Sequence, residues 1–356
     1  MHMTSRERLL CAFSCGTPDR VPVSPQSLGK LNRESELAKL LIERTDIIIY
    51  AGSACNCFIG SAVKFDVETD GALTIITYYT KKGKLRRVIK STGITRATIE
   101  FPCKLPEDVE KLLSIPYEPP TDEELKSALA DYNWWKDYIG ENGIVLFGLP
   151  NAICFPAEWF SPHDFCLLWA DAPNAMIELV KVANERLMMF VERVCKAGSI
   201  DGFRIVGGEY ASVQLGPKAF DILVRQFDKQ LVKLIHDYGA IAYYHNHGPI
   251  MRYLEAIIDI GVDALDPLEA PPWGDCNMVE AKRILKGKVC IVGNMDDMEV
   301  LNKKEPEEVL AIGKELISVA GPDGFVLSGT ASGTYGEKAA TNFLKLVELA
   351  EQMASA

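Results

Sequence analysis

The chain has 356 residues, 48% of them hydrophobic and 24% charged, and a formal net charge of −11. An acidic chain with no basic run is a poor partner for nucleic acid, and no apolar run approaches the roughly 18 residues of a bilayer-spanning helix. Without a long apolar leader the expected setting is the cytoplasm, where the ten scattered cysteines stay reduced.

In chain order, 4–14 reads as an amphipathic helix capped by Thr4 or Ser5, followed by the turn TPDRVPVSP. A short strand near 21–24, a helix over 35–44 and a buried strand over 46–52 come next. From about 60 to 104 the texture changes to β-branched and aromatic residues, broken at Asp70-Gly71 and Lys82-Gly83. Those breaks are hairpin signals, so the segment predicts an antiparallel insertion of three or four strands. Helical periodicity returns in LPEDVEKLLSIP and PTDEELKSALADYNWWKDYI.

After about 143, short apolar runs alternate with amphipathic helices. The runs are 144–149, 203–208, 240–246, 262–268, 289–294 and 325–329; the helices are 174–196, 217–238, 277–286, 306–319 and 338–353. Strands apolar on both faces and separated by helices predict a parallel sheet covered throughout. With the two early strands they make eight, so the expected fold is α/β: one (β/α)8 barrel domain over 1–356, with an N-terminal helical extension. An open doubly wound sheet is the competing fold, but no Gly-x-Gly-x-x-Gly follows any strand.

In such a barrel the chemistry sits on the residues that end each strand. Those ends offer Glu209 and Tyr210, then His245 and His247, then Asp266 and Glu269, then Asn294 and Asp296, and finally Ser328, Thr330 and Ser332. Two of the five histidines lie in AIAYYHNHGPI, two positions apart. Residues i and i+2 of a strand share a face, so both imidazoles would enter the mouth about 6–7 Å apart at Cα. That pattern has two readings: one core and one surface histidine, or two ligands of a tetrahedral zinc completed by a carboxylate. Glu209 is preferred to Glu269 as the third ligand, since the EAPPWGD setting of Glu269 suits loop capping. His163 and His236 read as surface residues, and Cys55 and Cys57 lack the second pair of a zinc knuckle.

The segments TSRERLLCAFSCGTPDRVPV, FPCKLPEDVEKLLSIP, HNHG, GVDALDPLEAPPWGD and VGNMDD resemble, in the same order, those of the uroporphyrinogen decarboxylase superfamily. The resemblance implies a (β/α)8 barrel. Of its two branches, the true decarboxylases carry an arginine-rich segment after the first strand, where this chain reads PVSPQSLGKLN. Their aspartate after the second strand and tyrosine after the third are also missing here. A tetrapyrrole bearing many carboxylates is poorly received by such a chain.

The corrinoid-dependent methyltransferases, of the methylcobamide:coenzyme M type, are more similar. Their zinc motif is His-x-Cys with a later Cys. His245 matches the first ligand, His247 stands where the first Cys would be, and SGTASGT (328–334) has no Cys. The resemblance therefore implies zinc held by His245, His247 and a carboxylate, with a corrinoid (cobalamin) carried by a partner protein. Replacing thiolates by imidazole and carboxylate leaves a stronger Lewis acid, suited to polarising the oxygen of a methyl ether. The expected activity is transfer of a methyl group from a small methylated, methoxy-type donor to the corrinoid protein. Tyr210 would orient the donor, while Asn294 or Asp296 would position ligands or buttress the histidines. Three alternatives stand beside it: methyl transfer from the corrinoid to a thiol or carrier, a decarboxylase or lyase on a small substrate, and a ligand-binding relative without turnover. A homo-oligomer is compatible with all of them.

Overall fold

The computed structural model describes residues 2–330 and 335–355. Eight parallel strands form the barrel: β1 (Val23–Ser24), β2 (Ile47–Ala51), then, after the insertion, β7 (Gly143–Pro150), β8 (Gly202–Val206), β9 (Ile241–His245), β10 (Ala264–Asp266), β11 (Cys290–Met295) and β12 (Phe325–Gly329). The insertion supplies β3 (Lys64–Asp70), β4 (Leu73–Thr80), β5 (Gly83–Ser91) and β6 (Arg96–Glu100), an antiparallel sheet of four. Around the barrel the strands run β1, β12, β11, β10, β9, β8, β7, β2. A parallel bridge between Gln26 and Ile48 joins the two ends, so the fold is a (β/α)8 barrel.

Period-two alternation fills the barrel. Ile48, Ile144, Leu146, Tyr243, Ala264, Cys290, Val292 and Val326 point inward and pack as one cluster. The same cluster takes Leu9, Ala12 and Phe13 from the helix Ser5–Phe13, which plugs the N-terminal end of the barrel. Leu9 and Phe13 are one turn apart and share a face, and burying each contributes roughly 1.5–3 kcal/mol. Thr4 caps this helix in a reciprocal box with Glu7.

Charge fastens the plug. Asp46 is fully buried and accepts from Arg8 Nη1 and Arg20 Nη1, each at 2.6 Å, and from the Val23 amide at 2.9 Å. Arg6 makes a bidentate pair with Asp201 at 2.6 and 2.8 Å. The Arg-x-Arg opening and the Asp19-Arg20 turn, which carried the family likeness, are thus structural, at the end of the barrel opposite the mouth. Burial pushes the Asp19 carboxyl up, but bonds from Arg8 and the Met3 and Arg20 amides outweigh it and hold it at about 2.

The second and larger core packs the outer helices onto the strands and takes in Tyr78 and Leu85 of the insertion. Tyr78 packs against Trp159 with ring centroids 4.8 Å apart and planes tilted by 50°, and the Arg87 guanidinium lies 5.2 Å from the same indole. The insertion is therefore seated on the helix Cys154–Trp159, which follows β7. Among the described residues no helix is long and apolar enough to cross a membrane. All ten cysteines are free thiols.

Candidate functional site

The inward stripe of β9 runs Ile241, Tyr243, His245, and that of β10 runs Ala264, Asp266. Asp266 is the register partner of His245. Two inward residues side by side in a parallel sheet can bond, and His245 Nδ1 lies 2.9 Å from Asp266 Oδ1. Gln26 Nε2 donates to the other oxygen of Asp266 at 3.2 Å and also approaches Ser328 Oγ at 3.2 Å. Ser328 in turn donates to the Ser24 carbonyl at 2.7 Å. His245, Asp266 and Ser328 are all buried. Burial pushes the His245 imidazole below its ordinary value, more strongly than Asp266 raises it. Burial acts to raise Asp266, but His245 and Arg204 outweigh it and the carboxyl is lowered. A neutral imidazole beside a carboxylate carries its hydrogen on Nδ1 and leaves Nε2 bare.

His247 corrects one expectation. β9 ends at His245, so His247 does not leave the barrel on the inward face of a strand. Local bonds capture the chain first. Asn246 Nδ2 donates to Ser212 Oγ at 3.2 Å and to the His247 carbonyl at 3.0 Å. Glu269 then accepts from His247 Nδ1 at 3.0 Å and from the Gly248 amide at 2.8 Å. Gly248 sits at φ 82°, where a side chain is disfavoured. The bent path still brings the rings together, with centroids 4.4 Å apart and planes at 89°. The bond to Glu269 raises the His247 pKa against the opposing effect of its burial.

The remaining candidates divide between two clefts. Glu209 and Tyr210, at the start of the helix Glu209–Ser212, line a cleft of about 360 Å³ together with His247, Glu269 and Trp273. Glu209 Oε2 accepts from the Gly207 amide at 3.2 Å. Burial, with Cys154 and Glu209 nearby, pushes the Tyr210 phenol up to about 12, so it keeps its proton at neutral pH. Asn294 and Asp296 line a larger cleft of about 620 Å³, again with Glu269 and Trp273. Each has a structural bond: Asn294 Nδ2 donates to the Leu268 carbonyl at 2.9 Å, and Asp296 Oδ1 accepts from the Met298 and Glu299 amides, each at 2.8 Å. Glu269 and Trp273 are shared by both clefts. Thr330 lines the larger one, and Ser332 lies outside the described residues.

The pair of imidazoles fits zinc in donor type and tautomer. Each Nδ1 is bonded to a carboxylate, the arrangement that orients metal-ligating histidines. Among the described residues, however, no group of three or more His, Cys, Asp or Glu side chains is gathered to hold a metal ion. Both oxygens of Glu269 are engaged, at His247 and at Gly248, so Glu269 supports a ligand in this arrangement.

The sequence profile of the family described as uroporphyrinogen decarboxylase (URO-D) matches residues 161–353, more than half of the chain. The chain belongs to the uroporphyrinogen decarboxylase family. The matched segment includes β8 to β12 and every residue singled out at the strand ends. In fold it is similar to a methyltransferase from Methanosarcina mazei, with a TM-score of 0.66, 13% identity, and 97% of this chain and 98% of that one covered. A B12-independent methionine synthase from Shewanella sp. W3-18-1 is similar at a TM-score of 0.49 and 10% identity, with 94% and 98% covered. No curated protein sequence matches the chain.

Within this member of the family, Gln26 and the pairing of Asp266 with His245 are the site features that strand-end reading misses. The signal for Gln26 is faint: it is two residues beyond Ser24, on the same inward stripe. His163 is exposed beside Asp164, and His236 bonds Asp263 at 2.8 Å on the outer surface, as expected.

Proposed function

We propose that the chain is a zinc-dependent methyltransferase that moves a methyl group from a small methoxy compound to the cobalt(I) corrinoid of a partner protein. One observation carries the proposal: two imidazoles stand 4.4 Å apart at the mouth, each with Nδ1 bonded to its own carboxylate. His245 and His247 would hold zinc through Nε2, with an oxygen from Glu209, while Glu269 supports His247. Bound there, zinc would supply Lewis acidity toward the ether oxygen. His245 is the fixed donor, locked by Asp266, Gln26 and Ser328; His247 is the adjustable one, held only at the surface by Glu269. Tyr210, protonated and in the same cleft as His247, can donate a hydrogen bond to the oxygen that loses the methyl group. The O–CH3 bond would break with its electron pair left on oxygen, which would take the Tyr210 hydroxyl proton, Tyr210 being reprotonated from water. The methyl group is taken up by the electron pair of the acceptor cobalt(I).

Two further points support this reading. The fold is shared with a protein named a methyltransferase. Neither cleft is lined by Lys or Arg among the described residues, so a porphyrin rich in carboxylates would find no cation there. The experiment is direct. Purified protein should contain close to one zinc per chain. Mixed with a reduced corrinoid protein and a panel of methoxy compounds, it should convert the cobalt(I) absorption spectrum to that of methylcobalt. A metal-free protein, or an unchanged spectrum across the panel, would defeat the proposal.

A further inference from the structure

The larger cleft is at once apolar and acidic. Its volume of about 620 Å³ lies in the range of small-molecule sites. Trp273 is 62% exposed and offers an uncovered indole at its edge, and Met278, Met295 and Leu316 add apolar surface. Every charged residue lining it is a carboxylate: Glu269, Asp296, Glu299 and Glu315. Glu269, which lines it, is bonded to His247, and Glu269 and Trp273 also line the smaller cleft that holds His247, so the two clefts adjoin.

We infer that this cleft binds the ring of an uncharged aryl methyl ether and rejects donors that carry a carboxylate. The inference rests on the methyltransferase reading and names its substrate class. An anion entering would meet a net negative groove lined by carboxylates and by no Lys or Arg among the described residues, where like-charge juxtaposition is costly. A cation gains no strong direct ion pair in return, because three of the four carboxylates already hold hydrogen-bond donors. Glu269 is bonded to His247 and Gly248, Asp296 to two backbone amides, and Glu299 to Lys303. Glu315 alone has no bonded partner among the described residues, and it is exposed at the rim on the helix Pro306–Ala320. The apolar lining and the free indole are left to do the binding, through burial and ring stacking.

Three probes of similar shape test this: anisole, 4-methoxybenzoate and 4-methoxy-N,N,N-trimethylanilinium. Each is titrated into the whole protein by calorimetry at neutral pH, with no corrinoid present. Anisole should bind, 4-methoxybenzoate at least ten-fold more weakly, and the anilinium no more tightly than anisole. Trp273→Ala should weaken anisole binding several-fold, and Glu315→Lys should narrow the gap between anisole and the benzoate. Benzoate binding equal to anisole, anilinium binding tighter than anisole, no anisole binding, or indifference to Trp273→Ala would each overturn the inference. The cobalt assay separates the two ideas. Methyl transfer from other methoxy compounds without anisole binding sinks the cleft assignment alone. Anisole binding with no methyl transfer from any donor sinks the reaction and leaves the cleft's preference standing.

Discussion

His245 and Asp266 are register partners on adjacent strands, and a buried 2.9 Å bond joins them at the mouth. Asp266 uses its second oxygen to accept from Gln26. Asp266→Asn keeps the volume but turns an amide hydrogen-bond donor toward one of these two donors. Zinc affinity should fall about 10–100-fold, the usual loss when a ligand's supporting carboxylate goes. Metal titration monitored with a chromogenic chelator, alongside circular dichroism, checks this; full zinc affinity in the variant would remove Asp266 from the site.

His247→Ala should behave differently from His245→Ala. The His247 side chain is 40% exposed and lies beyond the strand, so its loss should change stability by no more than about 1 kcal/mol while lowering metal content. His245→Ala leaves the Asp266 carboxylate buried without its main partner, a defect worth about 3–5 kcal/mol. Urea unfolding of both variants and metal analysis of each decide the matter. If His247→Ala loses several kcal/mol of stability while the folded protein keeps its metal, His247 is a packing residue.

The barrel is legible in the chain because its strands are covered on both faces and each is followed by a helix with one apolar face. The Asp70-Gly71 break likewise announces the β3–β4 hairpin, where Gly71 takes φ 56°. The helices Cys154–Trp159 and Pro162–Asp171 are not legible in the same way. In the first, Cys154, Phe155, Pro156 and Trp159 are all buried, so no polar face marks the helical period. The strand ends name side chains such as His245 and Asp266 but not their partners. His245 to Asp266 is a matter of register between strands, which period alone does not specify. The chain's departure from the sheet at His247 depends on side-chain bonds from Asn246 and Glu269 that have no periodic signature.

At the opposite end of the barrel, Asp46→Ala should be among the most destabilising single changes. It strips Arg8 and Arg20 of a fully buried common partner and leaves the Val23 amide unpaired. Removing one member of such a buried network costs about 3–5 kcal/mol. The urea midpoint should drop accordingly. Zinc content of the variant that remains folded should be unchanged, because the mouth lies at the other end of the strands. A small shift in midpoint would mean that the N-terminal helix is held by its apolar face and the Arg6–Asp201 and Arg8–Asp19 pairs, without need of Asp46.

Asp228 supplies a pH dependence with a definite sign. It is fully enclosed on the helix Gln226–Asp237, where it accepts from Tyr244 Oη at 2.7 Å and Asn151 Nδ2 at 3.0 Å. Burial raises its pKa from 3.8 to about 6, against the opposing effect of those two bonds. Between pH 4 and 6 the folded chain therefore holds a proton that the unfolded chain has released. Stability contributed by this group is present below pH 4 and is lost as pH climbs through 6. A separation of about two pH units corresponds to roughly 3 kcal/mol. Asp19 works in the opposite direction, so the total curve mixes both; the difference between the wild type and Asp228→Asn isolates the one group. Measured by urea unfolding from pH 4 to 8, the wild type should lose ground to the variant by roughly that amount as pH rises. The loss should level off above pH 7. A difference that stays flat over the range would mean that Asp228 ionises normally, with Tyr244 and Asn151 fully offsetting its burial.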